Sequence, residues 1–585
     1  MNIRPRQIHI CVSAIAFVAI WLLWSLGYTG HMNFHEQLQC FLFTTDYVQQ
    51  TLSCPGGLAD LVARYLTQFY FYDWVGGFVI ATLIISIQYL TWLIISKIST
   101  KDICYSLSFA PAIAALYFYA DVNNMLSAVV AILLGLATAW GIAFLRHKPL
   151  LFTTITIVIT PILYALIGTL GAVTFVSTYA ATLLFTSVDV SLSKKIISIV
   201  ACLVTIIIAI GIARQTTNYQ LIHLAKGLNY SRFPLMFATS AYVSALLIFI
   251  SAVCAYVIHI KNINPNSMIG NAMAYIVTLA AMLSYDIEQD RAMRYDKYVR
   301  NQDWKSVIEA ANHDMPTQPI VLNYVNLALG MTNQLADKTF YYSQHGVDCL
   351  FMPFVRNLVS ITPASEVFYY MGLTNIAQRY SFEAMMAIPD GQLSCRFIKR
   401  LAETEIINEQ YDVARKYLIM LSHTMFYDNW ARENLSMINN NETYSDNSEI
   451  GRLRRYRVKE DYLCSEDEID KMMMKLYLGC TENKMAFEYA TIMQLFKKDL
   501  NSFFNYLPFG GRAKYNSVPC SFQEAIIYHW SQTHNDLKDM PKNVSPKVKE
   551  SMMNYIHTYM NNKNNIEAME PYKHTFWYYY MFSQN

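Results

Sequence analysis

The first half of the sequence contains very few charged residues. Residues 1–285 hold 13 Lys or Arg and 7 Asp or Glu, whereas residues 286–585 hold 32 basic and 36 acidic residues. Such an uneven distribution is typical of a membrane domain followed by a water-soluble domain. The sequence also lacks a basic tract, so we expect no nucleic-acid partner.

Metal-binding cysteine motifs are absent as well. The chain has 11 cysteines, and no two of them have the CxxC spacing of a zinc site. Cys40 and Cys54 are close enough in sequence to suggest a disulfide. However, a helix over residues 34–52 would place Cys40 about 18 Å from its end, and a bridge requires Cα atoms within roughly 7 Å. The pattern favours the helix, and a disulfide among the five cysteines of the second half stays open.

Apolar runs long enough to cross a bilayer, roughly 17–25 residues, recur through the first half. They predict about nine transmembrane helices, at residues 9–28, 75–96, 105–121, 124–145, 149–169, 171–188, 196–213, 233–259 and 267–285. The run 9–28 follows Arg4 and Arg6 but ends without an Ala-x-Ala cleavage site. We therefore predict a retained helix there rather than a signal peptide.

Basic residues predict how these helices are oriented. They fall in alternate short connections, as Arg4, Arg6, Lys97, Lys101, Arg146, Lys148, Lys194 and Lys195. The positive-inside rule places those connections in the cytoplasm. The N-terminus is then cytoplasmic, and an odd number of spans places the residues after Tyr285 outside. We expect a multi-pass protein of the bacterial inner membrane with a periplasmic C-terminal domain.

The second half is predicted to be helical. Apolar positions in residues 286–435 recur at helical spacing, with prolines or glycines between consecutive helices, which is similar to the tetratricopeptide pattern. Its core is predicted to include Trp304, Leu327, Leu329, Tyr370 and Tyr417. Residues 436–467 are rich in Asn, Ser and Asp at their start and are predicted to be a loop or hinge. Residues 468–585 are predicted to form a C-terminal helical region.

The predicted fold class is therefore all-α, with a polytopic transmembrane domain in residues 1–285 followed by a soluble α-solenoid. Stacked helix pairs of this kind build a concave surface that usually binds peptides or partner proteins. The expected partners are thus the lipid bilayer and envelope proteins or peptides.

The loop after the first span is unusual because it is long and amphipathic. Residues 34–52 and 58–72 each place apolar side chains on one helical face, and Pro55-Gly56-Gly57 separates them. Two such helices between spans are expected to lie on the membrane surface. Asn33 and Glu36 have the spacing of a capping box, which offers a structural role for Glu36. Asp46 lies on a polar face, where an Asp is ordinary.

A first extracytoplasmic loop of short helices with acidic residues resembles the arrangement in GT-C glycosyltransferases. The resemblance implies a loop carboxylate that acts as a base or metal partner, a polyprenyl-phosphate-linked sugar donor and a divalent metal. It points to Glu36 and Asp46 as the catalytic groups. His35 and Asp60 would support them in binding substrate, and Arg64, Arg214, Lys226 or Arg232 could hold the donor's phosphate. His223 is a further substrate-binding candidate. The loop lacks the Asp-Asp, Glu-Asp or Asp-x-Asp pair that would strengthen the resemblance.

The whole chain is also similar to an uncharacterised family of multi-pass membrane proteins from Bacteroidetes-type bacteria. The similarity is carried by HEQLQCFLFTTDY, PGGLADLVARYLTQFYFYDWVGG, NYVNLALGMTNQLADKTFYYSQHG and RLAETEIINEQYDVARKYL. This resemblance implies architecture and localisation, and it brings no activity.

Three functions stay open on the sequence. The first is a GT-C-like transferase whose helical array positions a glycan or protein acceptor. The second is a non-enzymatic envelope scaffold that recruits partners through the array. A transporter or flippase is disfavoured because the predicted spans contain almost no charged residues, which mark transport pathways.

Overall fold

The structure is a computed structural model, which describes residues 5–186, 188–230, 239–261, 287–355, 357–388, 393–458, 465–534, 540–562 and 565–583. The chain forms two compact units. The first comprises Met1–Asp290, Pro389–Cys395 and His423–Asp428, and the second comprises Arg291–Ile388, Arg396–Ser422 and Asn429–Asn585. All regular elements in the described ranges are helices, and none is a β-strand. The predicted all-α fold is confirmed to that extent.

The first unit contains the apolar helices. Its α-helices are α1 Pro5–Leu22, α2 Thr29–Gln37, α3 Thr45–Leu52, α4 Gly57–Thr67, α5 Asp73–Ile95, α6 Asp102–Leu107, α7 Phe109–Ala120, α8 Leu126–Ile142, α9 Pro149–Phe185, α10 Leu192–Thr216, α11 Leu221–Lys226 and α12 Thr239–Ile260. Seven helical segments in the described residues are long and apolar enough to cross a membrane. They are Gln7–Gly27, Asp73–Ile95, Asp102–Ala120, Leu126–His147, Pro149–Phe185, Leu192–Thr216 and Thr239–Ile260. The predicted span 267–285 lies outside the described residues.

Helix α9 folds back on itself. It has 37 residues, so a straight helix would be about 55 Å long, nearly twice the hydrocarbon thickness of a bilayer. Gly168 interrupts it with a non-helical φ of 73° and ψ of −176°. The rings of Phe152 and Tyr179, from the two halves, lie 5.0 Å apart. Two antiparallel helices therefore meet at Gly168, close to the boundary between the predicted spans 149–169 and 171–188.

Neighbouring segments provide hydrogen-bond partners for the backbone amide and carbonyl groups at this reversal. The Tyr230 hydroxyl donates to the carbonyl of Ile167 (3.0 Å) and accepts from the amide of Leu170 (3.2 Å). The amide of Gly56, just before α4, donates to the carbonyl of Ala165 (2.9 Å). Because unpaired backbone groups are costly in an apolar environment, these contacts allow a helix to break there.

The loop between α1 and α5 differs from its prediction. A continuous helix over residues 34–52 is wrong, because α2 ends at Gln37 and α3 begins at Thr45, with extended chain between them. The capping box is also wrong, since Asn33 and Glu36 both lie inside α2. In contrast, the second predicted helix is confirmed as α4, followed by a 3-10 turn at Gln68–Phe71.

Helix α2 is not a surface helix. Its residues from Gly30 to Gln37 are all buried, including the polar ones. The periodicity placed polar side chains on an exposed face, but the chain packs this short helix among the ends of its neighbours. The prediction of a membrane-surface helix is therefore wrong for this segment.

The second unit is built from shorter helices. They are Ile287–Arg300, Trp304–His313, Pro319–Met331, Leu335–Lys338, Leu358–Met371, Thr374–Met386, Cys395–Ile407, Tyr411–Leu421, Asp428–Asn439, Glu449–Tyr456, Ile469–Gly479, Lys484–Phe496, Leu500–Tyr506, Cys520–Thr533, Pro546–Asn561 and Phe576–Phe582. The helices that begin at Ile287, Cys395 and Asp428 start in the first unit. Consecutive helices pack in pairs, as in Leu358–Met371 with Thr374–Met386. The tetratricopeptide resemblance itself stays a prediction.

The predicted core of this unit is largely correct. Leu327, Leu329 and Tyr370 are buried, whereas Trp304 and Tyr417 are only partly so. Trp304 still packs edge-on against Tyr370, with ring centroids 5.1 Å apart.

The prediction that residues 436–467 form a loop or hinge is wrong for their middle part, which is the helix Glu449–Tyr456. Glu449 accepts hydrogen bonds from the Tyr369 hydroxyl (2.8 Å) and from Gln302 (2.9 Å). This helix is therefore bonded to the rest of its unit. The Asn-rich pattern detected the turn before the helix but not the helix itself.

A buried ion network ties three helices of the second unit together. Arg396 donates to Asp296 (2.7 Å) and to Glu366 (2.9 Å), and Arg400 donates to the second oxygen of Glu366 (2.6 Å). Each charge in this network thus has an opposite charge beside it, which is the condition for keeping ions inside a protein.

Glu524 is a buried carboxyl in the second unit. One of its oxygens accepts a hydrogen bond from the Phe576 amide (2.7 Å). Burial raises the pKa of Glu524 from 4.5 to about 7, and the Phe576 hydrogen bond opposes this shift only in part. The folded protein therefore keeps a proton on this side chain under mildly acidic conditions.

We predict that Gly168→Ala destabilises the first unit. Alanine is strained at this backbone conformation, at a cost of about 1–3 kcal/mol, and its Cβ would overlap the Tyr230 hydroxyl. Gly141→Ala is the matched control, because no heavy atom lies within 4 Å of the added Cβ there. Thermal unfolding in detergent measures both variants. An unchanged midpoint for Gly168→Ala would contradict the proposed reversal.

The titration of Glu524 gives a second prediction. Between pH 4.5 and about 7 the unfolded chain ionises while the folded chain stays protonated. The free energy of unfolding therefore falls with rising pH, by on the order of 3 kcal/mol for this group. Glu524→Gln should lessen that fall, and Glu550→Gln, at an exposed position, should not. Denaturant unfolding of the second unit at pH 5 and pH 8 tests this, and identical pH slopes in wild type and Glu524→Gln would contradict it.

Candidate functional site

The end of the first span continues into a buried cluster of aromatic and imidazole rings. The residues Leu23–Gly27 form a π-helical turn, and α2 follows at Thr29. Trp24 stacks on Tyr119 of α7, with centroids 5.2 Å apart, and lies edge-on to His31 at 5.1 Å. We refer to Trp24, Tyr28, His31, His35, Tyr70 and Tyr119 as the ring cluster.

Two glycines at the start of α5 allow this packing. A Cβ on Gly76 would lie 2.9 Å from the Met32 sulfur of α2, and one on Gly77 would lie 3.1 Å from the Ser25 amide of the π-helical turn. Both separations are too short for ordinary contacts. Only glycine permits α2 and the π-helical turn to approach α5 this closely.

The two histidines of α2 stack on each other. They are four residues apart, one turn of helix, and their ring centroids are 4.4 Å apart with planes 21° from parallel. Burial and then the neighbouring His35 lower the pKa of His31 well below its usual value. Burial also raises the pKa of Tyr28 to about 12, with a smaller effect from Asp290. His31 and Tyr28 are therefore uncharged at neutral pH.

Glu36 lies next to this cluster and is 5 % exposed. One of its oxygens accepts a hydrogen bond from the hydroxyl of Tyr427, at 3.2 Å. Tyr427 belongs to the segment His423–Asp428 of the first unit, where Phe426 stacks on Phe71 with centroids 5.2 Å apart. The carboxylate is thus covered by a segment that is distant in sequence.

The first loop holds two later segments of the chain. The amide of Phe43 donates to the carbonyl of His423 (2.8 Å). Cys40 forms a disulfide with Cys395, with Cα atoms 5.3 Å apart. The sequence left a disulfide open only among the second-half cysteines and assigned Cys40 to a helix. In the structure Cys40 lies in the non-helical segment between α2 and α3, where it pairs with Cys395.

Asp60 and Arg64 of α4 form a closed pair. The carboxylate and guanidinium are 2.5 Å apart, and Arg64 also donates to the Tyr47 hydroxyl at 3.2 Å. Burial lowers the pKa of Arg64, but Asp60 and Tyr47 together raise it above its usual value, so the group stays charged. The charge that was predicted to bind a donor phosphate is therefore already compensated by Asp60.

The other predicted site residues are spread over the first unit. Asp46 is exposed in the first turn of α3, where a negative charge is favourable at a helix N-terminus. Arg214 is exposed near the end of α10, and His223 and Lys226 are partly buried in α11. Arg232 lies outside the described residues.

Among the predicted site residues that the structure describes, Asp60 and Arg64 form an ion pair, and His35 adjoins Glu36 in α2. The sequence missed the ring cluster, although the spacing of His31 and His35 was a usable signal for two rings on one face. No sequence signal pointed to Tyr427, which follows Glu36 by 391 positions.

The GT-C resemblance implies a divalent metal, and the described residues do not fit one. No group of three or more His, Cys, Asp or Glu side chains within them could hold a metal ion. Glu36 faces a tyrosine hydroxyl and Asp60 faces an arginine. We therefore assign no step to a metal.

A family model described as a family of unknown function (DUF6057) matches residues 4–583. The match covers nearly the whole chain, so the protein belongs to this family. No curated protein and no solved structure matches the chain. The family membership supports a shared architecture for both halves of the chain and carries no activity.

We predict that the Cys40–Cys395 disulfide links two separable parts of the chain. A specific-protease site inserted in the connection 314–317 would divide the chain between the two cysteines. After cleavage, the fragments should stay together on a non-reducing gel and separate after reduction. Cys40→Ser is the control and should separate under both conditions. Separation of the wild-type fragments without reductant would show that this disulfide does not form.

Proposed function

We propose that this membrane protein is a glycosyltransferase of the GT-C type, with Glu36 as its catalytic base. The observation that carries the proposal is the burial of this carboxylate in the first loop, directly after the first span and beside His35. A general base must lie within hydrogen-bond reach of the hydroxyl whose proton it takes, and Glu36 already accepts a hydrogen bond from one hydroxyl, that of Tyr427. Asp46, the other predicted catalytic group, is exposed.

The proposed chemistry is a single displacement. An acceptor hydroxyl attacks the anomeric carbon of a polyprenyl-phosphate-linked sugar, and its proton passes to Glu36. The bond between the anomeric carbon and the phosphate oxygen breaks, and its electron pair leaves with the lipid phosphate. In the structure the Tyr427 hydroxyl donates a hydrogen bond to the Glu36 carboxylate. The acceptor hydroxyl would therefore replace Tyr427 as the hydrogen-bond donor to Glu36.

The donor phosphate would bind near α11. His223 and Lys226 are three residues apart and thus lie on neighbouring positions of one helix face. The Nε2 atom of His223 is buried and has no hydrogen-bond partner among the described residues. The Thr169 hydroxyl, next to the reversal at Gly168, donates to the Leu224 carbonyl (2.8 Å) and holds α11 against α9.

The disulfide supports a periplasmic position for this site. Disulfides form and persist in oxidising compartments, which in bacteria means outside the cytoplasm. Since Cys40 and Cys395 are bonded, both lie on the same side of the membrane. This agrees with the positive-inside prediction for the first loop and for the residues after Tyr285, and with a bacterial inner-membrane location.

The test is Glu36→Gln in the full-length protein. Glutamine keeps an oxygen that accepts the Tyr427 hydrogen bond, but it cannot take a proton. If Glu36 is the base, formation of the glycan should fall by at least about 100-fold, with unchanged expression and melting temperature. Asp46→Asn is the matched control and should leave the glycan unchanged.

The readout is the envelope-glycan profile of cells carrying each variant, with a deletion strain to identify the affected glycan. A wild-type profile with Glu36→Gln, beside an altered profile after deletion, would exclude Glu36 as the base.

A non-enzymatic envelope scaffold is the second candidate. It is favoured by an apolar cavity of about 420 Å³ in the second unit, whose lining includes Phe487, Pro519 and Phe522. A cavity of this size and lining suits an apolar side chain of a bound peptide. An envelope-glycan profile that is unchanged even after deletion would favour the scaffold over the transferase.

A further inference from the structure

Two basic residues lie close together at one end of the membrane helices. Lys97 follows α5, and Arg146 lies in the 3-10 turn Ala143–His147 after α8. The Nζ atom of Lys97 is 4.9 Å from the centroid of the Phe144 ring, so the connection after α5 reaches the turn after α8. None of the ion pairs within the described residues neutralises Lys97 or Arg146.

The Lys97 ammonium lacks the partner that its position requires. Its Nζ atom is buried by surrounding protein atoms and donates no hydrogen bond within the described part of the chain. Burial, and then the charge of Arg146, lower the pKa of Lys97. A buried ammonium beside a second cation is unfavourable unless an anion joins them.

An apolar surface follows directly in sequence. A cavity of about 400 Å³ is lined by Lys148, Pro149, Leu150, Leu151 and Thr154. Leu150 is 81 % exposed at the start of α9. Lys148 beside the exposed Leu150 and Leu151 can contact a charged group, and the leucines can contact a hydrocarbon chain. A free inorganic anion would need only the basic residues.

We propose that Lys97 and Arg146 bind the phosphate of an anionic phospholipid, whose acyl chain lies along Leu150 and Leu151. Arginine and lysine donate charge-assisted hydrogen bonds to phosphate oxygens, which are stronger than neutral ones. Basic pockets between membrane helices commonly bind anionic headgroups in this way. The site is separate from Glu36 and does not depend on the proposed transferase activity.

The test uses full-length protein in a neutral detergent. Its thermal unfolding midpoint is measured with added phosphatidylglycerol, phosphatidylcholine or inorganic phosphate, and bound lipid is counted by native mass spectrometry. Phosphatidylglycerol should raise the midpoint and stay bound, and the other two should not. The variant Lys97→Met/Arg146→Met should bind phosphatidylglycerol at least about tenfold more weakly.

Two further variants separate this site from general charge effects. Lys194→Met/Lys195→Met removes two positive charges from the first turn of α10 and should keep wild-type lipid binding. Lys97→Arg keeps the positive charge and should also keep wild-type lipid binding. Equal lipid binding by wild type and Lys97→Met/Arg146→Met would overturn the proposal. An equal rise with inorganic phosphate alone would overturn the lipid assignment and indicate a simple anion site.

Discussion

The reversal at Gly168 depends on a backbone conformation that only glycine adopts readily, and much of the first unit depends on that reversal. Tyr230 bridges the two broken ends, and its own carbonyl accepts from the Met125 amide (3.1 Å) at the start of α8. Gly56 binds the same turn through Ala165. One point of the chain thus positions α4 of the first loop, α8 and both halves of α9. The loop that carries the candidate site is fixed to the spans through this junction.

Buried polar groups are accommodated in two ways. Around α2, His31 has a lowered pKa and Glu36 accepts a hydrogen bond from a tyrosine hydroxyl. Elsewhere opposite charges pair, as Asp60 does with Arg64 in the first unit. In the second unit, Glu366 is shared between two arginines. Removing an ion's partner leaves a charge buried, so breaking such a network is costly even where the intact network adds little stability.

Helices were predictable from the sequence wherever a local pattern of apolar residues determined them. The helices long enough to cross a membrane were predicted from their apolar length, and the boundary near Gly168 from a break in that pattern. The prediction of one helix over 34–52 failed because periodicity cannot show that α2 would be buried on all sides. The Cys40–Cys395 disulfide and the Tyr427 hydrogen bond were beyond sequence reasoning, because both join residues more than 350 positions apart. Pairing over such distances is determined by tertiary packing alone.

The environments of three loop carboxylates separate groups that the sequence treated as alternatives. Asp46 is solvated at a helix N-terminus, where its charge is already stabilised. Asp60 is compensated by Arg64 at 2.5 Å, and giving up its charge would leave a buried guanidinium without a partner. Glu36 is buried and accepts a hydrogen bond from the Tyr427 hydroxyl. Of the three, Glu36 is the one that is buried and already hydrogen-bonded to a hydroxyl group, the kind of group that a catalytic base deprotonates, and this is the physical reason to test it first.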